Sequence, residues 1–304
     1  MSRGTLAITG ATGFVGQTLA QLALEGGWSV RALTRSPKPS SEGLSWINGS
    51  LERPTSLQEL VHGSDAVIHV AGVVNAADRA SFAKGNIDGT RAIVEATQSA
   101  GVRRFIHVSS LSAREPALSN YSWSKAEAET VVANSELDWT MVRPPAIYGP
   151  GDKDMLDLFK MALNGFVLLP PAGRLSVIEV SDLARLLLTL ADTPETIGKI
   201  YEVDDGRAGG WSHVEFGRAI AEAVGKRAIP LSMPRVIVSF GAKIDQLVRG
   251  SSAKLTADRA AYFCHPDWVI SVSAHVPTEI WTPRIDTPTG LRATAATYRT
   301  AGWL

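Results

Sequence analysis

The sequence predicts an α/β fold, with a doubly wound parallel sheet followed by a smaller, mostly helical lobe. Short apolar runs alternate with longer segments of helical period through the first half of the chain, and a glycine-rich turn joins the first run to the first helix. The rhythm changes after Pro150, where helical segments dominate. Alternating strands and helices are typical of a parallel sheet that is covered on both faces and binds ligands at the carboxyl ends of its strands.

The elements of the first half follow from these runs in chain order. The predicted strands cover residues 5–9, 29–33, 65–71, 104–109 and 139–148. The predicted helices cover residues 14–25, 86–100 and 121–134. Because crossovers between parallel strands are right-handed, we expect the carboxyl ends of these strands to meet at one edge of the sheet.

The second half is organised differently and suggests a second domain. Its predicted helices cover residues 152–164, 182–191, 211–225, 235–248 and 291–303, and its predicted strands cover 175–180 and 199–203. We expect a first domain over residues 1–150, with a sheet that the segment 175–204 extends. The second domain is then a lobe made of residues 151–174 and 205–304.

The composition excludes several classes of protein. Of the 304 residues, 45% are hydrophobic, and 30 basic side chains balance 30 acidic ones. A chain without net charge lacks the overall excess of basic residues that is typical of nucleic-acid-binding proteins and that would attract it to anionic lipid. Cys264 is the only cysteine, which excludes an intramolecular disulfide, and the histidines lack metal-ligand spacing. We therefore expect a soluble cytoplasmic protein that binds a small molecule and has no metal, nucleic-acid partner or membrane partner.

The turn after the first strand has the features of a dinucleotide-binding loop. Its glycines, Gly10, Gly13 and Gly16, follow the spacing G-x-x-G-x-x-G and open the first helix. The first permits a tight turn, the second lets the backbone approach a pyrophosphate, and the third lets the helix pack close to the strand. The helix N-terminus supplies unpaired N–H groups to the anion. The loop residues expected to bind the cofactor are Gly10, Thr12, Gly13, Phe14 and Val15.

The end of the second strand favours NADP over NAD. An NAD site normally offers a carboxylate to the ribose hydroxyls at this position, but this chain offers Thr34 and Arg35. Arg35 can hold a 2′-phosphate through a bidentate fork, and no acidic residue repels it. We therefore predict NADP as the cofactor, with NAD as the alternative, and consider Arg31 as a second contact.

A tyrosine and a lysine share one face of a predicted helix. Lys125 lies four positions after Tyr121, which places the two side chains about one helical turn apart on the same face. An ammonium about 4 Å from a phenol favours the phenolate by about 4 kcal/mol at an effective dielectric near 20. We expect Lys125 to lower the pKa of Tyr121 and to contact the nicotinamide ribose, while Tyr121 acts as the general acid or base in hydride transfer.

Hydroxyl groups follow the strand that precedes this helix. Ser109, Ser110 and Ser112 lie at or just beyond its carboxyl end, and a donor there stabilises the negative charge that develops on a carbonyl oxygen. We assign the catalytic role to Ser110. Ser109 and Ser112 stay open as alternatives, and Ser109 is also a candidate cofactor contact.

With these motifs in order, the chain resembles the extended short-chain dehydrogenase/reductase superfamily over about residues 4–205. This group includes epimerases, dehydratases and reductases similar to 3β-hydroxysteroid dehydrogenase and dihydroflavonol reductase. The resemblance implies a Rossmann domain, often a homodimer, and an ordering role for Asn86 in the active site. It also implies further cofactor contacts by Leu51 beside the adenine, by Ala71 and Gly72 along the cofactor, and by Pro144 and Ile147 along the nicotinamide.

Departures from the family pattern bear on the substrate. Nucleotide-sugar enzymes of this group usually carry Asn where Ala146 stands and an Arg near Leu175 that binds the substrate diphosphate, although Arg174 could compensate. Aromatic residues of the second half, Trp211, Phe216, Phe240 and Trp268, also favour a less charged ligand. The leading interpretation is an NADP-dependent oxidoreductase that acts on a carbonyl and secondary-alcohol pair.

Two other interpretations stay open. The first is a nucleotide-sugar epimerase or dehydratase with the same cofactor. The second is a non-catalytic NADP-binding sensor or assembly factor, although such relatives typically lose the tyrosine and the lysine.

Overall fold

The computed structural model describes residues 3–250, 253 and 255–304. The strands are β1 (Thr5–Thr9), β2 (Ser29–Thr34), β3 (Leu44–Asn48), β4 (Ala66–His69), β5 (Arg104–Val108), β6 (Asp138–Arg143), β7 (Ala146–Tyr148), β8 (Phe166–Leu169), β9 (Arg174–Leu175), β10 (Val177–Glu179), β11 (Lys199–Glu202), β12 (Trp211–Ser212), β13 (Ile229–Ser232) and β14 (Asp267–Trp268). The α-helices are α1 (Phe14–Glu25), α2 (Pro54–Val61), α3 (Arg79–Phe82), α4 (Gly89–Ser99), α5 (Asn120–Ala133), α6 (Leu156–Leu163), α7 (Val180–Ala191), α8 (His213–Ala223), α9 (Arg235–Arg249), α10 (Ala257–Phe263) and α11 (Thr287–Thr300).

Among the described residues, a seven-stranded parallel sheet runs in the order β11-β6-β5-β4-β1-β2-β3. The chain starts in the middle of this sheet, builds outward to β3, and then returns to build the other half from β4. This topology confirms the predicted doubly wound sheet of the Rossmann type. The point where the direction of building reverses lies between β1 and β4, next to the glycine-rich turn.

The central strands are apolar because helices cover both faces of the sheet. Leu6, Ala7 and Ile8 of β1 are completely buried, as are Val67 and Ile68 of β4. Strands of a parallel sheet that is covered on both sides read as continuous apolar runs rather than as alternating ones. The short runs seen in the sequence therefore belong to the centre of the sheet.

The predicted strand over residues 139–148 is wrong as one element. The structure divides it into β6, which lies in the main sheet, and β7, which pairs with β10 through Ala146 and Val177. Pro144 and Pro145 separate the two strands. Proline lacks the N–H that a ladder needs, so an interior strand cannot continue through two of them.

The segment 175–204 extends the main sheet only through β11, which lies beside β6. Strands β9 and β10 pair elsewhere, in small separate sheets. The predicted helix over residues 86–100 also begins differently, because one π-helical turn over Ala83–Asp88 precedes α4.

The chain forms two compact units. The first comprises the residues up to Arg143 together with Leu183–Tyr201 and Val276–Trp281. The second comprises Pro144–Asp182, Glu202–His275 and Thr282–Leu304. The domain boundaries expected from the sequence, at residues 150, 174 and 204, stay a prediction.

The second unit has its own core. Phe159 and Tyr298 meet edge to face at 5.1 Å between ring centroids, within an apolar cluster that also includes Trp211 and Phe216. The aromatic side chains that the sequence offered as ligand contacts therefore serve largely as core, with the exception of Phe240, which is exposed. Within the described part of the chain, no helix combines the length and apolar character that crossing a membrane requires.

Candidate active site and cofactor site

The glycine-rich turn has three different steric requirements for glycine. Gly10 has φ +74°, and a Cβ there would lie 2.7 Å from the backbone nitrogen of Ala71. A Cβ on Gly16 would collide with the carbonyl oxygen of Gly10. Gly13 is the N-cap of α1, and its N–H donates to the Gly10 carbonyl at 2.9 Å. Glycine is therefore required at Gly10 and Gly16, whereas a Cβ on Gly13 would make only a tight contact, 3.3 Å from the Gly10 carbonyl oxygen.

The amino end of α1 is suited to hold an anion. Thr12 and Gly13 are exposed, and Phe14 and Val15 of the first helical turn are half-buried. Gly13 has no side chain that could cap the helix, and the first N–H groups of any helix lack partners within it. With the helix dipole, these groups favour a phosphate at this position. The loop thus fits the pyrophosphate of a dinucleotide.

Two arginines of β2 and the turn after it are placed very differently. Arg35 is exposed just beyond the carboxyl end of β2. Arg31 lies within the strand, and its guanidinium donates to the carbonyl oxygens of Leu60, at 3.0 Å, and Glu59, at 2.5 Å. Since Arg31 is held at the end of α2, it does not serve as the second phosphate contact considered above. Arg35 stays the candidate for a 2′-phosphate.

The ends of β3 and β4 carry the next candidate contacts. Leu51 is half-buried, and a Cβ on Gly89 would lie 2.8 Å from its Cδ1 atom. Ala71 and Gly72 follow β4, and the Ala71 N–H donates to Thr9 Oγ1 at 3.3 Å. These residues follow the carboxyl ends of their strands, at the same edge of the sheet as the glycine-rich turn.

Asn86 joins the segment after β4 to helix α5. It is buried in the π-helical turn, where its Oδ1 accepts from the Val73 N–H at 2.7 Å and its Nδ2 donates to the Val73 carbonyl at 3.0 Å. The same Nδ2 donates to Ser124 Oγ at 2.8 Å, and Ser124 Oγ donates to the Tyr121 carbonyl at 2.8 Å. One amide therefore fixes the cofactor-side segment relative to the helix that carries Tyr121 and Lys125.

Ser110 is the serine that contacts Tyr121. A hydrogen bond from Ser110 lowers the pKa of Tyr121, but burial of the phenol has the larger effect and raises that pKa overall. Ser110 Oγ accepts from the Ser112 N–H at 3.2 Å and from Ser112 Oγ at 3.0 Å. Two donors occupy the lone pairs of this hydroxyl, so its own proton is directed outward, toward Tyr121 or a ligand oxygen.

The other two serines are placed differently. Ser112 is completely buried, and its N–H and its Oγ both donate to Ser110 Oγ, so it can orient that hydroxyl. Ser109 Oγ is buried and has no hydrogen-bond partner among the described residues. An unpaired buried hydroxyl is costly, so a partner supplied by a ligand would satisfy it.

Lys125 is anchored at the end of β5. Its Nζ donates to the Val108 carbonyl at 2.9 Å, and burial lowers its pKa to about 8, which the Glu129 carboxylate partly offsets. The expectation that Lys125 lowers the pKa of Tyr121 is not met. Burial has the larger effect on the pKa of Tyr121 and raises it, and the hydrogen bond from Ser110 lowers it.

Two buried, uncharged histidines stack near Lys125. Sequence reasoning did not identify this pair. His69 and His107 stack at 5.4 Å between ring centroids. Burial, followed by the charge of Lys125, lowers the pKa of His69 to about 3 and that of His107 well below its usual range. Thr9 Oγ1 and Thr90 Oγ1 contact the His69 ring nitrogens at 2.6 and 3.1 Å. The imidazoles therefore stay neutral, and Lys125 is the cation of this group.

The remaining candidates lie in the second unit. Pro144 is buried, and Ile147 of β7 is half-buried and paired with Ile178. Arg174 donates to the carbonyl oxygens of Gly209, at 2.6 Å, and Gly210, at 2.9 Å. Since this guanidinium is bound to backbone, it is poorly placed to replace the diphosphate-binding arginine of nucleotide-sugar enzymes. The contacts of Pro144 and Ile147 with nicotinamide stay a prediction.

The described residues contain no group of three or more His, Cys, Asp or Glu side chains that could hold a metal ion.

Comparisons with known proteins give a consistent family. Residues 10–194 match a family model described as NAD(P)H-binding. The chain is 37% identical to a ceramide reductase from Caulobacter vibrioides (strain NA1000 / CB15N), over 100% of this chain and 97% of that protein. It is 26% identical to a 3-beta-hydroxysteroid dehydrogenase from Mycolicibacterium neoaurum, over 78% of this chain and 73% of that protein.

A solved structure shows the same fold over nearly the whole chain. The UDP-glucuronic acid 4-epimerase from Bacillus cereus in complex with NAD has a TM-score of 0.75 and 19% sequence identity, and the alignment covers 97% of this chain and 99% of that one. At this level of identity the likeness concerns the fold alone.

Proposed function

This chain belongs to the NAD(P)H-binding family within the extended short-chain dehydrogenase/reductase superfamily, and we propose that it uses NADPH to reduce a ketone of a ceramide-like lipid. It is an NAD(P)-dependent enzyme of that superfamily; the choice of NADP, the substrate and the roles of individual residues are our proposal. The observation that carries it is the hydrogen bond between Ser110 and Tyr121, on the helix whose next turn carries the buried Lys125.

The residues of the first unit fit a dinucleotide. The turn at Gly10 and Gly13 would receive the pyrophosphate, because a Cβ would fill the cradle and the helix end is uncapped. The exposed guanidinium of Arg35 would hold the 2′-phosphate that distinguishes NADPH from NADH. Lys125 would hold the nicotinamide ribose, and the buried, unpaired Ser109 hydroxyl would gain a partner there.

The chemistry requires one hydride and one proton to be added across a carbonyl. Bound NADPH would supply the hydride to the carbonyl carbon and become NADP⁺. Ser110 would donate a hydrogen bond to the carbonyl oxygen, because both of its lone pairs are occupied by Ser112. Tyr121 would deliver the proton to that oxygen, and its raised pKa keeps the phenol protonated at neutral pH.

The substrate class follows from the relative and from the missing polar groups. The ceramide reductase aligns with the whole of this chain at 37% identity. A ceramide is a long-chain amino alcohol acylated at nitrogen, so the ketone substrate would be an apolar chain with one amide and one carbonyl near its end. The Asn and Arg that nucleotide-sugar enzymes of the group usually carry are absent at Ala146 and near Leu175, and Arg174 is bound to backbone.

The two alternatives are less well supported. A nucleotide-sugar enzyme would need a cation for the diphosphate where this chain has Leu175 and an engaged Arg174. A non-catalytic NADP-binding protein would not need Ser110, Tyr121 and Lys125 to be kept together at one site.

The test is turnover with a defined panel of substrates. The protein would be incubated with NADPH and a 3-keto-ceramide in detergent micelles, a simple long-chain ketone, or UDP-glucose. We expect NADPH oxidation with the ceramide ketone, and a product that mass spectrometry shows to have gained two hydrogen atoms. Epimerisation or dehydration of UDP-glucose without reduction of either ketone would contradict the proposal.

A further inference from the structure

Helix α9 has a continuous apolar face that is exposed. Leu247 is 87% exposed and Phe240 is 64% exposed. The apolar face of α9 consists of Val236, Ile237, Phe240, Ile244, Leu247 and Val248, all of which are exposed. At about 100° per residue, these six side chains fall within an arc of about 120°. They form one surface rather than scattered single residues.

The opposite side of α9 holds the helix in place. Ala242 is buried there, and the Asp245 carboxylate accepts from the Leu255 N–H at 2.8 Å and pairs with Arg249 at 3.2 Å. The packing of the described residues therefore leaves the six side chains of the apolar face exposed. Contiguous exposed apolar surface of this kind usually marks an interaction site.

The strand that leads into α9 continues the apolar surface. Leu231 of β13 pairs in register with Leu168 of β8, and both are exposed. Ile229, two residues earlier on the same side of β13, is exposed as well. Met233 and Pro234 are the only residues between β13 and α9. Apolar side chains are therefore exposed along the whole segment from β13 to the end of α9.

The same segment is strongly basic in a chain without net charge. Residues 226–249 contain five basic residues and one acidic residue, whereas the whole chain balances 30 of each. The basic residues are Lys226, Arg227, Arg235, Lys243 and Arg249, and all five are exposed. The acidic residue is Asp245, which is already paired with Arg249. At 100° per residue, Lys243 borders the apolar face, whereas Arg235 and Arg249 lie on the other side of α9 and Lys226 and Arg227 precede β13. An apolar helix face on a segment rich in basic residues complements an anionic lipid surface.

We propose that the apolar face of α9 docks on an anionic lipid bilayer, with the helix lying in the plane of the interface. Its side chains would enter the headgroup and acyl boundary by about 5–10 Å, while the basic residues stay at the phosphates. The proposal differs from the sequence expectation of no membrane partner, which rested on the total charge of the chain and not on its local distribution. The inference goes beyond the proposed reaction, although a bilayer is where a ceramide-like substrate would be found.

A second copy of the chain fits this surface less well. A two-fold dimer through the apolar face of α9 would place the same patch against itself. Lys243, which borders this face, would then lie at the edge of the interface in both copies, and the only acidic side chain of the segment is already paired. Like charges brought together at an interface are repulsive.

The test compares the binding of the full chain to vesicles, with no substrate present. Sedimentation with sucrose-loaded vesicles would use pure phosphatidylcholine and a mixture with about 30% phosphatidylglycerol. We expect at least about fivefold stronger partitioning to the anionic vesicles, and weaker partitioning at high salt. Leu247→Ser should lower the partition coefficient at least about fivefold, because the side chain would lose its place in the apolar layer.

A matched variant separates this surface from general apolar exposure. Val272 is 91% exposed outside the segment, so Val272→Ser should change partitioning less than about twofold. NADPH binding checks that both variants are folded. Equal binding to neutral and anionic vesicles, or equal losses in both variants, would overturn the proposal. The proposal would also be overturned if the protein did not bind vesicles but formed a concentration-dependent dimer that Leu247→Ser abolished. Because no turnover is measured, either result leaves the proposed reaction to its own test.

Discussion

The Nζ atom of Lys125 lies 2.9 Å from the carbonyl oxygen of Val108 and donates a hydrogen bond to it. The ammonium is thereby fixed at the carboxyl end of β5, immediately before the serines of the candidate site. The nearby imidazoles of His69 and His107 are neutral, since burial lowers the pKa of each. A single positive charge therefore sits at the point where the cofactor and substrate are expected to meet.

The first prediction concerns the pH dependence of NADPH binding. Burial lowers the pKa of Lys125 to about 8, so the group is charged below that pH and loses its proton as pH rises through it. If the ammonium holds the nicotinamide ribose, NADPH affinity should fall above pH 8, by up to about tenfold one pH unit higher. Fluorescence titrations between pH 7 and pH 9 measure this. In Lys125→Met the affinity should be lower and nearly independent of pH over that range; a wild-type affinity that stays flat would contradict the role.

The second prediction separates Tyr121 from Lys125. Tyr121→Phe keeps the ring and removes the proton, so turnover should fall by about 10²-fold to 10⁴-fold while NADPH binding stays within about twofold. Tyr201→Phe is the matched control, because this tyrosine of β11 is also buried but is not part of the candidate site. Near-normal turnover in Tyr121→Phe would remove the assignment of the general acid. Lys125→Met should instead reduce both turnover and cofactor binding.

The third prediction distinguishes the three serines. Ser110→Ala should lower turnover by about 10²-fold to 10³-fold, because the carbonyl oxygen loses its fixed donor. Ser112→Ala should have a smaller effect, since it removes only one of the two groups that orient the Ser110 hydroxyl. Ser109→Ala should mainly weaken NADPH binding. Steady-state rates and NADPH titrations on the three variants check the order, and a larger loss of turnover in Ser109→Ala than in Ser110→Ala would reverse the assignment.

The sequence was sufficient for the centre of the fold and for the main motifs. Continuous apolar runs identified the buried strands, and glycine spacing identified the turn at Gly10, because both depend on local chain properties. Tyr121 and Lys125 could be paired because residues four apart share a helix face. Ser110 hydrogen-bonds Tyr121, a contact that spacing alone does not define, and its choice over Ser109 and Ser112 stays a prediction.

Other features depend on contacts between distant segments. The position of Arg31 is set by carbonyl oxygens at the end of α2, about thirty residues away in sequence. The pKa of Tyr121 is set chiefly by burial, whereas the sequence argument could give a magnitude only for the charge of Lys125. Helical period indicated that residues 235–248 are amphipathic, but a period does not say whether the apolar face points inward or outward. Phe240 and Leu247 are exposed because α9 packs through Ala242 and Asp245 instead.

The last prediction uses Arg35, just beyond β2, as the target and Arg31, within β2, as the control. Arg35 is exposed beyond the strand, so Arg35→Ala should remove a charge-assisted contact with the 2′-phosphate and leave the fold unchanged. Such a contact contributes about 1.5–3 kcal/mol, which corresponds to roughly a 10-fold to 150-fold loss of NADPH affinity. NADH has no 2′-phosphate, so the affinity for NADH should stay within about twofold.

Arg31→Ala is the control and should change stability rather than cofactor preference. It leaves the carbonyl oxygens of Glu59 and Leu60 without their donor, so the free energy of unfolding should fall by about 1–3 kcal/mol while the preference for NADPH over NADH stays the same. Fluorescence titration with both cofactors and urea unfolding of both variants measure the two effects. Equal losses of NADPH and NADH affinity in Arg35→Ala would show that Arg35 does not select the cofactor.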